Sequence, residues 1–332
     1  FAVMVQDLEA ASALAALTSA EAETLASPAG PIVLVPARPA TGLVPGVAPD
    51  SPLLGLMLPT TPLHHLLLRR LARPLVCTSG NRSGAPIAAD PSTALNHLGG
   101  IADLFLIHDR PVRRPIDDSV VRFFRGDATV LRHARGVAPS EFAASATAPT
   151  LALGAQQKSA LALHLIDRIV LGPHIGDLDD QDTRRALDAA AADLPRLFRA
   201  TPAVVASDLH PDYASTRIAD RMGRPQFGVP QHLAHILAGM VDCGLDRPVL
   251  GIAWDGTGYG ADGSIWGGEA ITVTAHSWRR IAHLLPFRLP GGEAAIRQPW
   301  RTALGALHAL DDDTTGGLPG RGGVHLWPPR AK

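Results

Sequence analysis

"TLALGAQQKSALALHLIDRIVLG", residues 150–172, sets two apolar strands on either side of a Gly154-Ala155-Gln156-Gln157-Lys158 turn. A strand, a turn and a second strand exclude a Walker-type loop, which needs a helix directly after its glycines. Downstream, residues 180–200 carry helical spacing, "AVVASDL" (203–209) reads as a strand, and "VPQHLAHILAGM" (229–240) as a further helix. "RPVLGIAWDGTGYGADG" (247–263) then reads as a strand entering a Gly-rich turn. Strands alternating with helices imply an α/β layered domain.

Upstream, residues 7–25 have the Ala/Leu/Glu content and the three-and-four apolar spacing of one helix. "PIVLVPA" (31–37), "RPLVCTSGN" (73–81) and "DLFLIHD" (103–109) read as strands. Residues 119–136 read as a hairpin turning at Gly126-Asp127. The Ala/Ser/Thr/Pro-rich stretch that follows has no periodicity and reads as a linker over 138–149. The chain therefore divides into a first domain over 1–137, a second over 150–308, and an irregular Gly/Pro-rich tail over 309–332. Two domains suit a length of 332 residues.

With 30 basic and 31 acidic residues the formal charge is -1, so no net field draws the chain to nucleic acid or to an anionic membrane. Lys158 is the lone internal lysine, Lys332 being terminal. Such a lysine flags a role for a compact ammonium, although an arginine-rich composition explains it as well. Two distant cysteines, Cys77 and Cys243, allow neither a disulfide framework nor a Cys-type zinc site, which fits a cytoplasmic setting. No apolar run reaches the roughly 18 residues of a bilayer span. The sequence begins with Phe1, and we read it as a piece of a longer chain.

Several stretches have the residue types of a site. "TSGNRSG" (78–84) offers Ser79, Asn81 and backbone N–H groups to an anion, and is equally a polar loop with Asx-turn chemistry. Asp117, Asp118, Arg122, Arg132 and Arg135 flank it in sequence; arginines suit phosphate, yet surface arginines are commonly just solvated. "WDGTGYG" places Asp255 before Gly256, Thr257 and Gly258, a phosphate or cation arrangement or a plain β-turn. His232 and His235 are three apart, and Gln231 and His235 four apart, so either pair shares a helix face. Among 14 histidines a close pair arises by chance, and "LHH" at 63–65 is another.

The 154–160 turn resembles the phosphate loops of actin-like ATPase folds. In order along the chain, "FAVMVQDLEA", "LGLMLPTTPLHHLLL", "TSGNRSGAPIA", "DDSVVRFFRG", "LRHARGVAP", "ALGAQQKSALAL", "PHIGDLDD", "SDLHPDYASTRIA", "VLGIAWDGTGYGADGSIWGGE" and "LPGGEAAIRQPWRTAL" resemble the HypF family of hydrogenase-maturation carbamoyltransferases. The resemblance implies an α/β chain: part of an α+β YrdC-like domain, then the first half of a TsaD/Kae-like domain of actin-like ATPase fold. It implies that carbamoyl phosphate and ATP, with magnesium, form carbamoyl-adenylate, and that the carbamoyl group passes to the C-terminal cysteine of a HypE-type partner in [NiFe]-hydrogenase maturation. Neither nucleic acid nor a membrane is implied as a partner.

The same resemblance places nucleotide and carbamoyl-adenylate binding on Thr78, Ser79, Asn81, Arg132 and Arg135, and phosphate binding in the second domain on Lys158, Gly256, Thr257 and Gly258. It implies a zinc or iron ion on His235 and Asp255, able to polarise the transferring carbonyl. It names no further catalytic residue. Gln231 stands where the family carries the first histidine of an i, i+4 pair, and His232 can replace it only if the helix rotates. The family's Lys-x-Arg motif, acylphosphatase region and zinc fingers have no counterpart here, and the likeness ends after His308. Two incomplete sites and little activity are therefore expected. The alternatives are a non-catalytic or complementing piece of a split gene, and a small-molecule O-carbamoyltransferase.

Overall fold

The computed structural model describes residues 1–314 except Ala40 and Ser83, so the rest of the expected tail lies outside the described residues. Two compact units are present. One comprises Phe1–Gln231 with Ala238–Leu245; the other comprises His232–Leu237 with the described residues from Asp246 onward.

The first unit opens with β1 (Ala2–Met4), α1 (Leu8–Leu14), α2 (Ser19–Ala26), β2 (Ile32–Pro36), β3 (Leu53–Met57), α3 (Pro62–Leu71), β4 (Leu75–Cys77), α4 (Pro91–Leu98), β5 (Val120–Phe124) and β6 (Asp127–Arg132). Its strands form a mixed sheet in the order β4-β1-β3-β2-β5-β6. Successive side chains of a strand point to opposite faces. Val3, Val5, Val33, Val35, Leu54 and Leu56 accordingly pack with Ala11, Leu14 and Leu25 of α1 and α2, whereas Met4 and Met57 meet Leu68 of α3.

A second sheet follows, built from β7 (Ser140–Ala143), β8 (Thr150–Ala152), β9 (Ser159–His164), β10 (Arg168–Gly176), β11 (Val204–Asp208) and β12 (Gln226–Val229), with α5 (Gln181–Leu197) and α6 (Ala214–Arg221) between the later strands. The order is β12-β11-β8-β9-β10-β7. Alternate residues Ser159, Leu161 and Leu163 of β9 are buried, and Leu187, Ala191 and Leu194 of α5 form the apolar stripe of the same core. Asp180 caps α5 by accepting the Asp182 and Thr183 N–H groups. The two sheets are joined through His133, whose Nδ1 lies 3.1 Å from the Gly172 carbonyl and whose Nε2 lies 2.7 Å from the Ser140 hydroxyl.

The second unit holds the first turns of α7 (Gln231–Asp242), a meander of β13 (Val249–Tyr259), β14 (Ile265–Val273) and β15 (Trp278–His283), and the helices α8 (Glu293–Arg297) and α9 (Pro299–Thr314). No helix among the described residues is long and apolar enough to cross a membrane.

Six expectations are corrected. The helix expected over 7–25 is two: Thr18 and Glu21 form a capping box that starts α2 afresh, and Ala15 is extended and bridges to Ala37. "DLFLIHD" forms no strand and leaves Leu104 and Leu106 exposed, because no neighbouring strand among the described residues supplies the ladder that an apolar run needs. The hairpin turns at Arg125-Gly126, both at positive φ (53° and 94°), so that Phe124 pairs with Asp127. The 138–149 stretch contains β7, which pairs antiparallel with β10. "WDGTGYG" stays within β13, whose register against β14 shifts between Trp254 and Gly258; the chain reverses later, at Gly260–Gly263. Finally, the tail expected from 309 is helical to Thr314.

Gly136 anchors the end of the first sheet. Its φ is +82°, and a Cβ there would lie 2.2 Å from the Ala29 carbonyl oxygen. Gly136→Ala is expected to cost about 2 kcal/mol or more. Gly46, with open space around it and no positive φ, tolerates alanine and serves as the control. Urea denaturation of both variants checks this; equal midpoints would refute it.

Candidate functional site

One cavity of about 610 Å³ in the first unit gathers residues from both of its sheets. β4 ends at Cys77, and the loop after it brings Ser79 and Asn81 to the cavity wall. The Ser79 hydroxyl donates to Asn81 Oδ1, and Asn81 Nδ2 donates to the Ala85 carbonyl at 2.7 Å. The loop thus has the Asx-turn chemistry and lines the cavity at once. Thr78 is exposed and lies outside the lining.

Arg132, at the end of β6, lines the cavity with its Nη1 3.6 Å from Asp117 Oδ1. Arg135 is placed elsewhere: it donates to Asp118 Oδ1 at 2.9 and 2.7 Å, to the Gly30 carbonyl at 2.9 Å and to the Ala29 carbonyl at 3.3 Å. It is a structural clamp bordering a separate hollow near Thr60 and His65. Arg122 is exposed on β5, away from both.

The β8–β9 turn supplies Lys158 at φ +48°. Its backbone N–H donates to Asp177 Oδ1 at 2.7 Å, and the Gln156 carbonyl accepts the Leu178 N–H at 2.9 Å. Gln156 Nε2 donates to Asp179 at 2.7 Å while its Oε1 accepts the Ala214 N–H at 2.9 Å. Four backbone and side-chain bonds therefore hold the turn that presents the lysine. Ile87, Ile116 and Ile175 give the cavity an apolar wall, and Arg114 reaches Asp193 of α5 at 3.3 Å. Several cationic side chains beside an apolar wall suit a ligand with a charged end and a flat apolar end.

Sequence reading missed Arg113, Arg114, His174, Asp177 and Asp193 as lining residues. His174 and Asp177 lie in "PHIGDLDD", which carried the resemblance without a role for either residue, and Asp193 lies in the stretch read as a helix over 180–200. Burial pushes the His174 imidazole pKa below its ordinary value, against the opposing pull of Asp117.

In the second unit, His235 Nε2 lies 3.3 Å from Asp255 Oδ2. Asp255 is held at the β13 irregularity, its Oδ1 accepting the Gly256 N–H at 2.7 Å. Gly256, Thr257 and Gly258 are part of that irregularity, within β13. His232 faces inward, fully buried, with its ring edge-on to Trp266 at 6.0 Å and neither ring nitrogen hydrogen-bonded among the described residues. It therefore stands apart from a surface metal position, and Gln231 keeps the place one turn before His235.

Zinc bonds of about 2.0–2.2 Å put two tetrahedral ligands a little over 3 Å apart, which the His235–Asp255 separation matches. Among the described residues, however, no group of three or more His, Cys, Asp or Glu side chains converges. The donor set stops at two, short of the implied metal centre.

Three family models match consecutive stretches: "Telomere recombination" over residues 1–134, "HypF Kae1-like domain" over 145–242, and "Carbamoyltransferase, Kae1-like Domain, second subdomain" over 251–319. Carbamoyltransferase HypF of Synechocystis is 46% identical over 292 residues, covering 86% of this chain and 38% of that protein. Its counterpart in Rhizobium leguminosarum is 42% identical over 318 residues, covering 93% and 42%. Full-length HypF in a phosphate- and nucleotide-bound crystal form superposes with a TM-score of 0.85 at 40% identity, covering 92% of this chain and 49% of that one. HypF of T. kodakarensis gives 0.87 at 32% identity, covering 93% and 41%. The chain spans about two-fifths of the length of the curated relatives it matches.

With two donors in place, zinc added to the purified chain is expected to be stripped by a chelator and dialysis. Gln231→His adds an imidazole four residues before His235 and is expected to raise the retained zinc toward one per chain. Elemental analysis decides; stoichiometric metal in the unaltered chain, or no gain in the variant, would count against this assignment.

Proposed function

We propose, since the chain belongs to the HypF family of carbamoyltransferases, that it takes part in ATP-dependent carbamoyl transfer in hydrogenase maturation and that its first-unit cavity binds the nucleotide. The observation that carries this reading is the convergence of Ser79, Asn81, Arg132 and Lys158, drawn from two sheets, on one space. A relative 40% identical is described in a phosphate- and nucleotide-bound form, which supports nucleotide binding by this chain.

The chemistry asks for what these residues offer. Carbamate derived from carbamoyl phosphate attacks the α-phosphorus of ATP through oxygen; the bond to the bridging oxygen breaks, and pyrophosphate leaves with the electron pair. Arg132, Arg113 and Lys158 line the cavity and, in this reading, balance the negative charge of reactant and leaving group. Ser79 supplies a hydroxyl, and the wall of Ile87, Ile116 and Ile175 suits the flat face of adenine. The carbamoyl carbon of the adenylate is then open to attack by a thiolate, releasing AMP. The acceptor we assign is the C-terminal cysteine of a HypE-type partner.

His235 and Asp255 would hold a divalent zinc or iron ion if a further donor joined them. No step is assigned to that ion, because the described donors number two. The cavity gathers the residues assigned to the nucleotide, and because the sequence implied that half of this pocket is missing, binding with little adenylation is the expected behaviour of this chain by itself.

Carbamoyl-phosphate-dependent exchange of pyrophosphate into ATP tests the adenylation step, and carbamoylation of a cysteine-terminated peptide tests the transfer. Arg132→Ala is expected to weaken ATP binding about tenfold, the loss of one charge-assisted contact. Calorimetry measures it. Unchanged affinity, or carbamoylation of a small alcohol in preference to the peptide, would overturn the assignment.

A further inference from the structure

His174 lines the cavity among charged side chains, with no ring partner among the described residues. Every carboxylate of the lining is engaged: Asp117 with Arg132, Asp193 with Arg114, and Asp177 with the Lys158 N–H. The His174 ring, half-buried and in the lining, makes no hydrogen bond among the described residues. β10 departs from regular register on both sides of it, between Leu171 and His174 and again between His174 and Gly176. Such bulges re-aim a side chain out of the regular alternation. Its backbone N–H donates to the His133 carbonyl at 2.7 Å, which ties this point of β10 to the residue after Arg132.

We propose that the His174 imidazole contacts a phosphate group of the bound nucleotide, in its protonated form, alongside Arg132 and Lys158. This rests on the cavity being the nucleotide site. The charged groups facing the ring are Asp117, Arg132, Asp177 and Lys158, from the segments before β5, at the end of β6, at the end of β10 and in the β8–β9 turn. Burial is the leading influence and holds the ring's pKa below its ordinary value, with Arg132 and Lys158 acting in the same direction and Asp117 and Asp177 opposing. A phosphate brings net negative charge to the ring, raises its proton affinity, and so takes up a proton on binding. The sign follows: affinity rises as pH falls through the bound-state pKa, and levels off below the lower free-state pKa.

The experiment is calorimetric titration of the 332-residue chain with ATP from about pH 5.5 to about pH 8, alongside His174→Asn and His174→Lys. The nucleotide's own phosphates titrate in this window, so the difference between chains isolates the imidazole. His174→Asn is expected to bind about tenfold more weakly than the unaltered chain at the acid end and within about twofold at the alkaline end. It should also take up fewer protons across buffers of different ionisation enthalpy. His174→Lys, charged throughout, is expected to bind at the alkaline end as tightly as the unaltered chain at the acid end. An identical pH profile in His174→Asn overturns the proposal. So does an equal loss in both variants at every pH, which would mean that the ring only shapes the cavity. If the unaltered chain binds no ATP at any pH, the nucleotide reading itself falls, and the role of His174 with it.

Discussion

The Arg135 guanidinium is the contact on which the first unit depends. It binds the Asp118 carboxylate through two nitrogens and caps the carbonyls of Ala29 and Gly30. Carbonyls at a chain bend that is partly buried need donors, and a planar guanidinium supplies several at fixed angles. Next to it, Gly136 lets the backbone approach Ala29 more closely than any side chain permits. An isolated parallel bridge between Asp118 and Arg135 ties the two segments together beyond the ends of the antiparallel pair β5 and β6. Asp117 and Arg132, immediately adjoining, are held at the cavity as a consequence.

From that fixed end the chain enters the second sheet almost at once. His133 contacts both Gly172 and Ser140, so the strand ends that carry Arg132 and His174 share one hydrogen-bonded junction. The β8–β9 turn is braced separately, by Gln156 and by Asp177. The cavity between these two supports is polar where cations gather and apolar along Ile116 and Ile175. This division is what a ligand with a flat base and a charged tail requires.

The second unit is organised around Trp266. Its Nε1 donates to Asp262 at 2.9 Å, and the Arg280 guanidinium lies 4.6 Å from its ring while pairing with the buried Glu269. Side-chain hydrogen bonds from Ser264 lead in holding the Asp262 carboxyl down at a pKa of about 2. A charge as buried as Glu269 persists because Arg280 and the Gly267 N–H satisfy it. His232 packs into this cluster, which settles why it is a core histidine and His235 the surface one.

Local sequence alone determined a good part of this protein. The apolar alternation of β2 and β9, the helical stripe of α5 and the strand–turn–strand around Lys158 all follow from short-range periodicity, and the ordered motifs carried the family. The same reading singled out Ser79, Asn81, Arg132 and Lys158 from residue type. Tertiary structure decided the rest, because the deciding energies lie between residues distant in sequence. Arg135 looks like Arg132 in the sequence, yet one meets carbonyls 105 and 106 residues away and the other faces a cavity. The apolar run at 103–109 has strand composition but no ladder partner. His174 gains its place from irregularities in β10 that periodicity cannot show, and it acquires its electrostatic surroundings only when two sheets meet.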